Sequence, residues 1–141
     1  MKTKNINSIE AKEKDYLYTK SSQLPNSGTG LYSAIDIFKD EIIAFYKGEL
    51  ISDLEAKNRA KIGNDKYFIN LTDGNIMDSM HTACFAKYAN DALGYSNSDF
   101  KNNSIISLTD DQKVCIVAKR FIKSGEELFC SYGKKYWKKH R

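Results

Sequence analysis

Three short stretches carry residue types whose spacing suits work on a ligand: Gly28-Thr29-Gly30, Asn90-Asp91, and Gly125-Glu126-Glu127-Leu128-Phe129-Cys130-Ser131-Tyr132-Gly133. Paired glycines let main chain pass close to a ligand with no Cβ in the way. A short amide such as Asn90 offers a donor and an acceptor at once. Each stretch also has a plainer reading: a tight turn, a turn pair, and a core or rim tyrosine after a short strand. A dinucleotide fingerprint at Gly28 is excluded, because it needs a third glycine and a helix directly after, whereas Leu31-Tyr32-Ser33 continues as strand. Zinc has almost nothing to bind: Cys84, Cys115 and Cys130 are widely separated, no Cys-x-x-Cys pair occurs, and His81 and His140 lie far apart. Scattered cysteines in odd number point to a reducing compartment rather than a disulfide framework.

The elements that must position these residues are short. A chain of 141 residues, 41% hydrophobic and 12% aromatic, is about one domain with a real core. Residues 1–15 are polar and aperiodic and read as a flexible arm, with residues 16–141 as the domain and its basic tail. No apolar run in the first stretch suits a signal peptide or a membrane span, so a soluble, intracellular protein without membrane contacts is expected. β-type runs occur at Leu31–Ser33, Ile42–Tyr46, Tyr67–Leu71, Ile105–Leu108, Val114–Ala118 and Leu128–Cys130. Ser52-Asp53-Leu54-Glu55 is a capping box that opens a helix running to Lys61 and closing at Gly63, and a second short helix is expected over Thr82–Tyr88. The domain is therefore read as mainly β with short helices, and its long loops at 70–81 and 91–103 as functional candidates. Net charge is +4. Much of it sits in Lys134–Arg141, either a solvated tail or a patch for an acidic surface such as nucleic acid; the sequence leaves both open.

Taken together and in order, four segments resemble the blocks of the SET-domain protein-lysine methyltransferases: Gly28-Thr29-Gly30-Leu31-Tyr32, Phe45-Tyr46-Lys47-Gly48-Glu49-Leu50-Ile51-Ser52, Phe85-Ala86-Lys87-Tyr88-Ala89-Asn90-Asp91-Ala92, and the Gly125–Gly133 stretch. The last matches the family's G-E-E-L-x-x-x-Y-G ending. The third departs from the family's R-F-I-N-H-S: Lys87 stands for the arginine, Asp91 for the histidine and Ala92 for the serine. Tyr67 resembles the family tyrosine near the cofactor's amino-acid end, Ile76-Met77-Asp78-Ser79 the segment before the third block, and Asn102-Asn103 the region of a second asparagine. The cysteine-rich zinc segment that follows many members is absent after Gly133, and Tyr136 or Trp137 would close the site instead, by stacking on an adenine ring.

The resemblance implies a small-sheet SET fold around a knot-like core. It implies transfer of a methyl group from S-adenosylmethionine, leaving S-adenosylhomocysteine, to a lysine amine on a protein or peptide such as a histone tail. Cofactor-binding positions would be Gly28, Gly30, Leu31, Tyr32, Tyr67, Tyr88, Asn90, Asp91 and Trp137. Tyr46 and Tyr132 would be the catalytic pair, and Tyr46, Cys130 and Tyr132 the wall of the lysine channel. Lysine carries no lone pair when protonated, so an aromatic tube must favour the neutral amine by desolvation. Tyr132 is expected to orient the amine rather than act as a general base. Cys130, smaller than the family's phenylalanine or tyrosine, is expected to leave room for di- or trimethyllysine. Docking of a basic tail would call on acidic residues such as Asp73, Asp78, Asp110 and Asp111 around the groove. The competing expectation is a degenerate module that binds a partner without catalysis, motivated by Asp91 and Ala92.

Overall fold

The computed structural model describes residues 9–25, 27–70, 75–92, 99–111 and 113–131. A first helical turn, α1 (Glu13–Tyr16), leads into β1 (Leu17–Ser21) and β2 (Thr29–Ser33). Then come β3 (Ile42–Phe45), β4 (Glu49–Ile51), α2 (Asp53–Lys61), β5 (Phe68–Asn70), β6 (Ile76–Asp78) and a 3-10 turn at Ala86–Tyr88. The remaining strands are β7 (Ser104–Leu108), β8 (Val114–Ala118), β9 (Glu127–Leu128) and β10 (Cys130–Ser131). They form three small sheets, ordered β1-β2-β9, β10-β7-β8-β3 and β4-β6-β5. All pairings are antiparallel except β10 with β7. Among the described residues no helix is long and apolar enough to cross a membrane.

Local chemistry explains α2. Ser52 caps it by accepting the Glu55 amide at 3.1 Å, which satisfies one of the donors a helix start leaves open. Gly63, at φ 80°, ends it with its amide on the Ala60 carbonyl. The helix expected over Thr82–Tyr88 is only the single 3-10 turn. The Thr82 carbonyl accepts the Lys87 ammonium at 3.1 Å instead of continuing a helical ladder. The expected arm is anchored over its second half. Ile9 packs against the main core, and Glu13 Oε2 accepts the Phe45 amide at 3.0 Å on the open edge of β3. Tyr16, buried in the core, donates to the Ile43 carbonyl at 2.6 Å.

One apolar core joins the layers. Leu31, Ile37, Ile43, Ile116, Ile122 and Leu128 are fully enclosed there beside Tyr46, Ala86, Ala89 and Cys130. The segment from β9 to β10 is held on both flanks. Phe129 bridges Asn90 in parallel on one side, and its carbonyl accepts the Asn103 and Ser104 amides on the other. The Cys130 amide donates to the Asn90 carbonyl at 2.8 Å. A chain segment gripped this way by two others far apart in sequence is what positions the site.

Candidate active site

The first and last blocks meet at Gly30. A Cβ there would overlap the Glu127 carboxylate and stand 3.1 Å from Ser22 Cα, so the placement of that carboxylate requires glycine. Glu127 is 2% exposed. It accepts from Ser22 Oγ (2.6 Å), Gln23 N (2.8 Å), Gln23 Nε2 (3.4 Å) and Tyr32 Oη (3.2 Å). Neutral donors alone surround it among these contacts, and they meet the rule that a buried carboxylate must be hydrogen-bonded. Burial, and after it the Glu127 charge, pushes the Tyr32 phenol up to about 12, which keeps it a donor at neutral pH. Tyr32 also reaches the Ser21 carbonyl at 2.7 Å and stacks on Tyr18. The Leu31 and Tyr32 side chains are thus core groups, and what this block presents outward is the main chain of Gly28 and Thr29. Gly28 sits at φ 61°, with no other part of the chain within 4 Å of where a Cβ would stand. This is open main chain of the kind a ligand can lie against.

Asn90 lies beside that strip. Its Nδ2 donates to the Thr29 carbonyl at 3.2 Å, in an exposed bond, while its main chain is tied to Phe129 and Cys130. The next residue, Asp91, is turned inward. It is 2% exposed and accepts from Asn102 Nδ2 at 2.9 Å, and Asn102 Oδ1 in turn accepts the Ala92 amide at 2.8 Å. The replacement of histidine by Asp91 is thereby absorbed by Asn102. Asn103 pins the threaded segment, donating to the Glu127 carbonyl (2.9 Å) and accepting the Phe129 amide (3.0 Å).

The second block approaches from β3. Tyr46 is buried in the same core cluster as Cys84 and Cys130. The Lys47 amide donates to Cys84 Sγ at 3.3 Å, and the Lys47 carbonyl accepts Ser79 Oγ at 2.6 Å. Gly48 is required by contact: a Cβ would stand 2.5 Å from the Asp78 carbonyl oxygen. Tyr67 and Tyr88 form an edge-to-face pair with centroids 6.2 Å apart. Cys130 is fully enclosed, and burial, reinforced by the nearby Asp91 charge, pushes its thiol well up. It stays a small neutral group rather than a nucleophile.

The structure therefore gathers Gly30, Asn90, Asp91 and Cys130 around the threaded segment, with Gly28 two residues before Gly30 on the open strip, Tyr46 in the same core cluster as Cys130 and Tyr67 paired with Tyr88. Tyr132 and Trp137 lie outside the described residues, as do Tyr136, the Lys134–Arg141 tail and Asp73. Asp78 is not a docking charge. It is 1% exposed and accepts from Arg59 (2.7 Å) and the Met80 amide (2.9 Å). Asp111 is taken up in the β7–β8 turn, by Thr109 and by Lys113 at 3.7 Å. Sequence reading gave no role to Glu127 and Cys84, and reached Asn103 and Ser79 only through the family resemblance. The signal for Glu127 was present, as a carboxylate directly before the apolar Leu128-Phe129-Cys130 run.

A cavity of about 720 Å³ opens at Tyr88, lined among others by Lys12, Glu13, Cys84, Phe85 and Lys87.

Small sheets closed by a threaded C-terminal segment, with a glycine strip and an asparagine at the crossing, define a SET-type domain. The sequence matches the SET domain family over residues 28–133, and the chain belongs to that family. It is 37% identical over 109 residues to histone-lysine N-methyltransferase EZ1 of Zea mays, a match covering 75% of this chain and 11% of that protein. It is 35% identical over 109 residues to histone-lysine N-methyltransferase CLF of Arabidopsis thaliana, covering 75% and 12%. Its fold superimposes, with a TM-score of 0.71 and 30% identity, on a humanized mutant of the Chaetomium thermophilum Polycomb Repressive Complex 2 bound to the inhibitor GSK343. That match covers 83% of this chain and 15% of the other. The chain thus spans only about an eighth of the length of these curated relatives.

Proposed function

We propose that this chain is a protein-lysine N-methyltransferase that uses S-adenosylmethionine, with a histone lysine as the first substrate to test. The observation that carries the reading is the meeting of Thr29, Asn90 and the strand leading toward Tyr132 at one crossing, in a chain of the SET family whose relatives are named histone-lysine methyltransferases. When bound, the cofactor supplies a methyl group activated by a sulfonium. The residues present suit such a ligand: open main chain at Gly28, the exposed amide of Asn90, and the faces of the Tyr67–Tyr88 pair. Trp137 completes this set in the proposal.

Tyr46, Cys130 and Tyr132 wall the lysine channel. The apolar cluster around Tyr46 and Cys130 disfavours the ammonium form and so delivers the amine with its lone pair free. Tyr132 orients that amine along the line of attack, where alignment supplies much of the rate. The enclosed, uncharged Cys130 leaves space for a partly methylated amine. Asp91, committed to Asn102, gives the non-catalytic reading no support. A histone substrate would place the activity in the nucleus.

The test is methyl transfer from labelled S-adenosylmethionine to histones and whole-cell protein, with products resolved by mass spectrometry. Tyr132→Phe and Asn90→Ala are expected to lower transfer by about a hundredfold or more, as loss of orienting contacts does. Cys130→Phe is expected to confine the product to monomethyllysine. A chain that binds no S-adenosylmethionine, or a Tyr132→Phe variant as active as the parent, would sink the proposal.

A further inference from the structure

Lys87 stands where the family pattern has arginine, and its surroundings suit an ammonium. Its Nζ donates to three main-chain carbonyls, Ser79 at 2.9 Å, Thr82 at 3.1 Å and Met80 at 3.3 Å. An ammonium has three donors disposed around a point, whereas a guanidinium offers a planar fork. The same Nζ lies 5.3 Å from the centroids of both Tyr67 and Tyr88, within the range in which a ring face attracts a cation. Among the described residues no carboxylate forms an ion pair with it. A half-buried charge is thus balanced by peptide dipoles and aromatic faces.

The three carbonyls belong to one turn, and that turn reaches both halves of the site. The Ser79 amide donates to the Tyr67 carbonyl at 3.3 Å, and Ser79 Oγ donates to the Lys47 carbonyl at 2.6 Å. Tyr67 belongs to the cofactor side of the proposed site, and Lys47 adjoins Tyr46 on the channel side. The Cys84 thiol, two residues beyond Thr82, receives the Lys47 amide.

We infer that Lys87, which also lines the cavity at Tyr88, is a positioning residue that sets the placement of Tyr46 relative to the Tyr67–Tyr88 pair through the Ser79–Thr82 turn. The inference rests on the proposed methyl transfer. Removing the ammonium lets the turn relax, so that the channel and the cofactor face lose their mutual alignment. Misplacement of this kind lowers turnover more than binding.

The test compares the full chain with Lys87→Met, Lys87→Arg and Ser79→Ala. Lys87→Met is expected to shift the NMR resonances of the Ser79, Met80 and Thr82 amides and of the Tyr67 and Tyr88 rings. It is expected to lower kcat by about ten- to a hundredfold, with KM for the methyl donor changed less than about threefold. Lys87→Arg, which keeps the charge but not the three-way donation, is expected to fall between parent and Lys87→Met. Ser79→Ala, which cuts the link to Lys47 and leaves Lys87 intact, is expected to reproduce the kcat loss; it carries the test if Lys87→Met does not fold. A defect confined to donor KM, with the turn resonances unmoved, would overturn the inference and make Lys87 a ligand contact. A parent chain that transfers no methyl group would fail the functional reading instead, and the NMR comparison would then decide whether Lys87 holds the turn.

Discussion

The crossing around Asn103 and the β4-β6-β5 sheet with α2 use polar groups in opposite ways. At the crossing, Asn103, Ser104, Asp91 and Glu127 are all at most 2% exposed, and each is engaged by the chain's own donors and acceptors. In the other region Arg59 gathers Glu49, Glu55 and Asp78 from one side, over a small cluster of Ile51, Ala56 and Phe68. Leu50, Leu54 and Ile62 there are 63%, 70% and 72% exposed. A buried, satisfied network specifies one arrangement because every alternative leaves a group unpaired. A sheet hung on one arginine can alter its outer face without disturbing the crossing.

The sharpest way to break this contrast is Asn103→Leu, which keeps the branched shape and strands the Phe129 amide and the Glu127 carbonyl. It should cost about 3 kcal/mol in denaturant unfolding, the range for unpaired buried polar groups. A loss under about 1 kcal/mol would mean that the crossing is held by apolar packing alone.

A milder probe is Arg59→Met, which leaves the enclosed Asp78 carboxylate with only the Met80 amide of its two recorded donors. Native-state hydrogen exchange should speed up several-fold in β4, β5 and β6 while β7, β8 and β10 keep their protection, as expected for separate cooperative units. Equal loss in both sets would make the two regions one unit.

The smallest effect concerns acid. Hydrogen bonds to Arg59, and then its charge, hold the Glu49 carboxyl below its usual value. A carboxyl lowered on folding stabilises the native state above its unfolded pKa, and that contribution is lost as pH falls through the lowered value. Exchange protection in β4 should therefore weaken on acidification below the ordinary carboxylate range before that in β7 does, and a simultaneous loss would remove the distinction.

What could be read from residues follows how local the cause is. The Ser52 cap and Gly63 stop of α2 are encoded within a dozen residues, and the Val114–Ala118 strand in its own β-branched run. β4 and β6 are three residues each and exist through pairing with one another, so their own sequence gives no period to read. In the Thr82–Tyr88 stretch the Lys87 ammonium takes the first carbonyl, that of Thr82, and only the 3-10 turn at Ala86–Tyr88 forms. Around the crossing, motif spacing singled out Gly30, Asn90 and Cys130, which lie along it, and Leu31 and Tyr32, whose side chains turn inward. The burial of Glu127 was beyond local reading, because Ser22 and Gln23, which satisfy it, lie about a hundred residues away.

The threading of β9 and β10 bears on how the chain is made. These strands, at residues 127–131, close two sheets at once, β9 on β2 and β10 on β7. The Glu127 carboxylate that fills the space beside Gly30 also arrives with them. During synthesis, everything up to Lys123 can be present while the second edge of β2, the Asn90 main chain and the Asn103 side chain lack the partners that β9 and β10 bring. Pairings of such long sequence separation form late and set a slow folding step. A ribosome that stalled before β9 would release a chain with most of its hydrophobic core but no crossing, a sticky polypeptide rather than a loosened version of this fold.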